Sequence, residues 1–310
     1  MPPGVAPPAD LPRLAVTLGD PRGIGPEVVR KALADPRVAG RLHAVVVGPA
    51  GTEAAVDDEV GRWTPGAGAA DAGRLSGRAI ERAVQLARSG RVEGIVTGPI
   101  DKAALLAGGY DYPGHTEMLA ELTGASVAMM LASATLRVVL ATTHIPLRLV
   151  PDAVTPLVIE RAATVTRDGL RRWFGISEPR IALCALNPHA GDGGRFGRED
   201  DDVLAPVARR LGLAGPFPAD TVFVRALRGG FDAVIAPYHD VGMTAIKVAS
   251  FGHAVNVTLG LPFPRTSPDH GTALDIVGRG IADRSSFVEA LLLCAQIVER
   301  QRSRVAASAP

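Results

Sequence analysis

The sequence predicts an α/β protein with a mainly parallel sheet, and three observations carry that expectation. Short β-branched apolar runs alternate with longer helical patterns from one end of the chain to the other. Glycine and proline mark several of the junctions. Histidines recur directly after the apolar runs, as expected where strands deliver polar groups to the edge of an open sheet.

In chain order, strands are predicted at 14–18 (LAVTL), 43–48 (HAVVVG), 93–98 (EGIVTG), 127–132 (VAMMLA) and 137–143 (RVVLATT), then at 180–186 (RIALCAL), 232–237 (DAVIAP) and 254–260 (AVNVTLG). Each is short, apolar and rich in valine, isoleucine or leucine, as a strand buried on both faces requires. Helices are predicted at 26–35, 76–90, 116–124, 151–174, 199–212 and 285–302. Pro26 suits a first helical turn, where its missing N–H costs nothing, and Gly90 and Gly124 suit C-terminal stops. No internal repeat or long low-complexity linker interrupts the pattern. Residues 1–12 are proline-rich and lack both a basic and an apolar signal region, so they are expected to form a flexible leader and not a signal peptide.

Charge and cysteine content narrow the function classes. A formal net charge of +1 gives no support for nucleic-acid or membrane-surface partners, and no uncharged apolar run is long enough to span a bilayer. The only cysteines, Cys184 and Cys294, lie inside apolar runs and are expected to be buried, reduced thiols of a cytoplasmic protein. Of 33 basic residues only Lys31, Lys102 and Lys247 are lysines. In so arginine-rich a chain each lysine draws interest, because an ammonium and a guanidinium are not interchangeable at a polar site.

Three segments deliver a histidine after an apolar strand: His144, His189 and His239. Neutral imidazoles brought to one sheet edge can hold a divalent metal and leave coordination positions open for a substrate; each can equally be an ordinary hydrogen-bonded histidine at a strand end. Lys247, Asn256 and Arg265, spaced nine residues apart in a Gly-rich block, offer the charge and directed donors that a phosphate needs. Pro113-Gly114 places His115 and Thr116 at a helix start, where Thr116 can serve as an N-cap and the free amides can receive an anion. There is no GxGxxG and no GxxxxGK[ST], so motif logic alone supplies no nucleotide site.

The segments GDPRGIGPE, VTGPIDK, YPGHTEMLAELTG, ATTHIPLR, NPHAGDGGRFGRED, GPFPADTVF, PYHDVG, VNVTLGLPFPRTSPDHGTA and GRGIAD together resemble the 4-hydroxythreonine-4-phosphate dehydrogenase family of pyridoxal phosphate biosynthesis, in order from about residue 14 to 290. The resemblance implies two α/β lobes around a cleft, similar to isocitrate and isopropylmalate dehydrogenases and unlike an ordinary Rossmann fold. It further implies a homodimer whose active site draws on both subunits. The lobes are expected at 13–125 with 250–310, and at 126–249. By motif, His144, His189 and His239 would hold a divalent metal (zinc, magnesium or cobalt), while His115, Thr116, Lys247, Asn256 and Arg265 would bind substrate. Asp220, Asp240 and Asp269 would support them, and the general base stays unassigned. NAD or NADP would oxidise 4-phosphooxy-L-threonine, with decarboxylation, to 3-amino-2-oxopropyl phosphate. Arg195 stands where many biosynthetic members carry a histidine, and GDPRG and YHDVG depart from the usual blocks. Those changes keep open oxidation of D-threonate or D-erythronate 4-phosphate, and a metal-dependent phosphosugar lyase or hydrolase is the reading from another class.

Overall fold

Strands β1 (Arg13–Thr17), β2 (His43–Ala50), β3 (Asp58–Arg62), β4 (Gly94–Thr97), β5 (Ala128–Ala132), β6 (Arg137–Leu140), β7 (Ile181–Cys184), β8 (Ala214–Phe217), β9 (Ala233–Ala236), β10 (Val255–Leu259) and β11 (Arg265–Pro268) form one sheet in the order β3-β2-β1-β4-β11-β10-β5-β6-β9-β7-β8. The structure, a computed structural model, describes residues 11–250 and 253–308, so all but the last two residues of the expected leader lie outside it. Helices α1 (Gly25–Leu33), α2 (Ala69–Arg88), α3 (Lys102–Ala107), α4 (His115–Thr123), α5 (Val150–Ala153), α6 (Pro156–Phe174), α7 (Ala205–Leu211), α8 (Ala219–Leu227), α9 (His239–Ser250) and α10 (Ser285–Ser308) cover both faces.

The sheet is mostly parallel, but not throughout. β3, β2, β1, β4 and β11 share one direction, and β6, β9, β7 and β8 share the opposite one. The reversal is made at β10 and β5, which pair antiparallel with each other and with their outer neighbours. An ordinary Rossmann sheet has no such antiparallel centre.

Side-chain alternation explains why the strands read as unbroken apolar runs. Val139, Leu183 and Ile235 point into the larger core with α6 and α10, whereas Val138, Leu140, Cys184 and Val234 point into a second core with Val222 and Phe223 of α8 and Ile246 of α9. With both faces covered, neither set of positions is free to be polar. Both cysteines are buried free thiols, as expected.

All eight expected strands are present, within a few residues of the expected bounds. Three others escaped the sequence reading because they lack an apolar run: DEVGR of β3, AGPF of β8 and RTSP of β11. The stretch expected as one helix over 151–174 is broken before Pro156, where the Thr155 hydroxyl accepts the Val158 N–H and starts α6 afresh. The 199–212 stretch begins with a wide turn, Asp200–Leu204, before α7. Helices α3, α8 and α9 were not anticipated. α9 begins at His239 itself, so this histidine sits on a helix start rather than on a free strand end.

Candidate active site

A cavity of about 580 Å³ opens among the loop after β4, the start of α4, the loop after β6, helix α9 and strands β10 and β11. His115, Thr116, His144, His239, Lys247, Asn256, Arg265 and Asp269 all line it. His189, Asp220 and Asp240 do not.

The trio expected to bind phosphate arrives from one helix and two strands, and not from successive turns. Lys247 lies on α9, Asn256 on β10 and Arg265 at the start of β11. Arg265 is 2% exposed, so its guanidinium sits inside the sheet and not on an open surface. Its Nη1 donates to Thr258 Oγ1 at 2.9 Å and its Nη2 to Thr97 Oγ1 at 2.5 Å, while Nε is buried without a partner. Two neutral hydroxyls satisfy part of the fork but neutralise none of its charge. Burial therefore brings the guanidinium down to about 9, still protonated at neutral pH. Asn256 Oδ1 is likewise buried and unpartnered. Lys247 pairs with Asp269 at 3.2 Å, which gives Asp269 a definite place beside the trio.

His115 opens α4, as expected, but Gly114 occupies the N-cap and no side chain caps this helix, so Thr116 is not its N-cap. The His115 Nε2 is buried with no partner. Burial first, and the charges of Arg265 and Lys102 after it, hold this imidazole well below its ordinary value and keep it neutral.

The three strand-end histidines follow β6, β7 and β9, which are neighbours in the sheet, yet one chain does not bring them together. His144 and His239 meet, with ring centroids 5.4 Å apart. His239 Nδ1 lies 2.7 Å from Asp240 Oδ1, an arrangement that fixes the ring and leaves Nε2 for another partner. Partial burial, then Lys102 and His239, pulls His144 down, favouring the neutral ligating form. His189 faces solvent elsewhere, against Phe196. Among the described residues no three His, Cys, Asp or Glu side chains form a group able to hold a metal. Two imidazoles at one edge fit part of a metal site. Asp220 is exposed in the first turn of α8.

The loop that carries His189 is unusual in its backbone. His189, Ala190 and Asp192 have φ of 54°, 55° and 46°, alongside Gly191, Gly193 and Gly194 at positive φ. L residues enter this region singly and at a cost of about 1–2 kcal/mol each, so three in one loop need strong support. Asp200, 1% exposed, supplies it by accepting the Leu186 and Asn187 N–H groups at 2.8 and 3.0 Å. Such strain is concentrated at functional segments.

Sequence reasoning missed the role of Thr97 and Thr258, whose hydroxyls are invisible as ligands in apolar strands. It also left Lys102, Glu117 and His270 unassigned, although all three line the cavity. GDPRG is settled differently: Arg22 forks onto the buried Asp20 at 3.1 and 2.7 Å, so this loop spends its charge on itself.

Comparison with known proteins decides the family. The sequence model of the pyridoxal phosphate biosynthetic protein PdxA family matches residues 27–294. The chain belongs to this family. A 4-hydroxythreonine-4-phosphate dehydrogenase of Stenotrophomonas maltophilia is 45% identical, over 94% of this chain and 98% of that protein. A Bradyrhizobium diazoefficiens protein assigned as a D-threonate 4-phosphate dehydrogenase is 43% identical, over 90% and 94%. The crystal structure of 4-hydroxythreonine-4-phosphate dehydrogenase from Klebsiella pneumoniae superposes with a TM-score of 0.83 at 39% identity, covering 94% of this chain and 99% of that one. The chain is thus an oxidoreductase of the PdxA family, and a dehydrogenase of this kind needs a nicotinamide acceptor.

Proposed function

We propose that this chain oxidises the C3 hydroxyl of 4-phosphooxy-L-threonine with NAD or NADP, in pyridoxal 5′-phosphate biosynthesis, and that the product loses CO₂ to give 3-amino-2-oxopropyl phosphate. The observation that carries the reading is the buried Arg265 guanidinium, which lines the cavity with only two neutral hydroxyls as partners and shares it with His144 and His239. With Lys247 and Asn256, Arg265 would seat the phosphate, and His115 and Thr116 would hold the middle of the substrate. Fixing both ends sets the carbinol hydrogen toward the nicotinamide.

His144, His239 and a His189 from a second copy would complete a divalent metal site (zinc, magnesium or cobalt) in a cytoplasmic homodimer, with Asp240 orienting His239. A divalent cation held there would polarise the C3 hydroxyl and stabilise the charge that develops as hydride leaves. Support for the second copy is the isolation of His189 from its two counterparts, together with the strained loop that presents it. The same reading divides the chain into lobes at 13–125 with 250–310 and at 126–249. No helix of the described residues is long and apolar enough to cross a membrane.

A second reading, D-threonate or D-erythronate 4-phosphate as substrate, rests on the Bradyrhizobium relative and on Arg195 in the His189 loop. A substrate panel assayed by nicotinamide reduction, with NAD and NADP and with and without chelator, separates the possibilities. Preference for 4-phosphooxy-L-threonine by at least about tenfold in kcat/KM, or ~1.4 kcal/mol, supports the first reading. The reverse preference establishes the second. No nicotinamide reduction with any of them returns the site to a lyase or hydrolase. Chelation is expected to abolish turnover and leave the cooperative melt in place, since apolar cores on both faces of the sheet, and not a metal, hold the fold together.

A further inference from the structure

The three lysines of this chain divide cleanly by surroundings. Lys31 bonds the buried Glu27 at 2.6 Å and the carbonyls of Gly280 and Ala282 at 2.9 and 3.0 Å, which makes it a structural clamp. Lys247 pairs with Asp269. Lys102, at the start of α3, lines the cavity and has no carboxylate within 4.0 Å and no hydrogen bond among the described residues. Its Cε stands 3.7 Å from the point where a Cβ would project from Gly114, the residue before His115. The Glu117 carboxylate shares that wall but stays beyond ion-pair distance.

The arrangement leaves a cation to spare at one end. Arg265, His115 and His144 line the same cavity as Lys102, whose stem packs beside Gly114, the residue before His115, while Arg265 enters from β11. A phosphate on Arg265 and Lys247 would leave Lys102 unmatched. A four-carbon acid phosphorylated at one end carries its other charge, the carboxylate, at the opposite end. We propose that Lys102 binds the substrate carboxylate, so that the cavity clamps both termini of a phosphorylated hydroxy acid and selects acids over the corresponding phosphorylated alcohols. The inference rests on the phosphate-substrate reading above. It also accounts for a lysine in a chain that otherwise uses arginine: one compact charge with rotatable donors suits a carboxylate that must later depart as CO₂ better than a bidentate fork would.

The test is binding, measured by titration calorimetry on the purified full-length protein without nicotinamide, so that nothing turns over. The two probes are 4-phosphooxy-L-threonine and 3-amino-2-hydroxypropyl phosphate, which is the same molecule with hydrogen in place of the carboxylate. Wild type should prefer the acid. Lys102→Met, which keeps the stem and removes the charge at an exposed position, should weaken the acid by about 10- to 100-fold and the decarboxylated probe hardly at all. Lys102→Arg should keep most of the preference, and Arg265→Lys should weaken both probes alike. Equal losses on both probes in Lys102→Met, no loss on either, or a wild type indifferent to the carboxylate would each overturn the assignment while the phosphate reading stands. Wild type binding neither probe would remove the phosphate reading, and this inference with it.

Discussion

The two ends of the cavity hold their polar groups by opposite means. At the end built by β4, β10 and β11, Arg265 is buried in the sheet and its fork is set by Thr97 and Thr258. At the other end, His144 is exposed and His239 only half covered, and the third histidine of the expected set is absent from their side. The first end is built within one chain before any ligand arrives. The second is presented outward and unfinished. A protein that binds its substrate's phosphate alone but assembles its reacting end between two copies would look like this, and each half of that contrast can be attacked separately.

The largest effect should come from the unfinished end. His144→Ala and His189→Ala are each expected to be nearly inactive alone. Mixed in equal amounts and allowed to exchange subunits, they should recover about a quarter of wild-type activity, because half the dimers are hybrids and each hybrid keeps one whole site. No recovery, with exchange verified by mass, would place His189 in the same site as the His144 of its own chain or in no site at all.

At the finished end the expected effects are smaller but fall on stability and activity together. Arg265→Lys keeps the charge in the same dry place, cannot reach both threonines, and presents a more strongly hydrated head. A loss of about 1.5–3 kcal/mol of stability is expected, with a 10- to 100-fold drop in kcat/KM. Inorganic phosphate at about ten times its Kd should stabilise wild type by roughly 1.4 kcal/mol, and the variant by less. An unchanged melting temperature in Arg265→Lys would show that the guanidinium is not held as tightly as its two hydrogen bonds imply.

How much of this was legible in the sequence follows the same division. Strands with apolar faces on both sides announce themselves, so eight of them could be read directly, as could the fact that His144, His189 and His239 follow such strands. β11 could not: its RTSP is polar because Arg265 and Ser267 line the cavity while Thr266 turns the other way, its hydroxyl donating to the Ala290 carbonyl. A strand that serves a site loses the pattern that identifies strands. Nine-residue spacing grouped Lys247, Asn256 and Arg265 around one cavity but carried no information on burial, so the depth of Arg265 was not legible. The separation of His189 from its counterparts is set by the left-handed loop after β7, since β6, β9 and β7 themselves run parallel side by side, and no local periodicity encodes such a loop.

His115 sits where the two ends meet, and its titration gives the finest test of the contrast. Its Nε2 is sealed and unpartnered, and its folded-state pKa lies well below the ordinary 6.5. Above that value both the folded and the unfolded chain hold the ring neutral, so His115 contributes no pH dependence. As pH falls through it, the unfolded chain takes up a proton that the folded chain refuses, and stability must fall, by at most about 1.4 kcal/mol per pH unit for one proton. His144 is displaced in the same direction and adds to the total, so the informative quantity is the difference between wild type and His115→Asn in denaturant titrations between neutral and mildly acidic pH. The variant should show the shallower slope. Inorganic phosphate on Arg265 would place an anion beside His115, favour its protonated form and flatten the wild-type slope toward that of the variant. Equal slopes in the absence of phosphate would mean that His115 is solvated in the folded protein. A slope that phosphate leaves untouched would mean that the anion sits too far from His115 for the two to share a substrate.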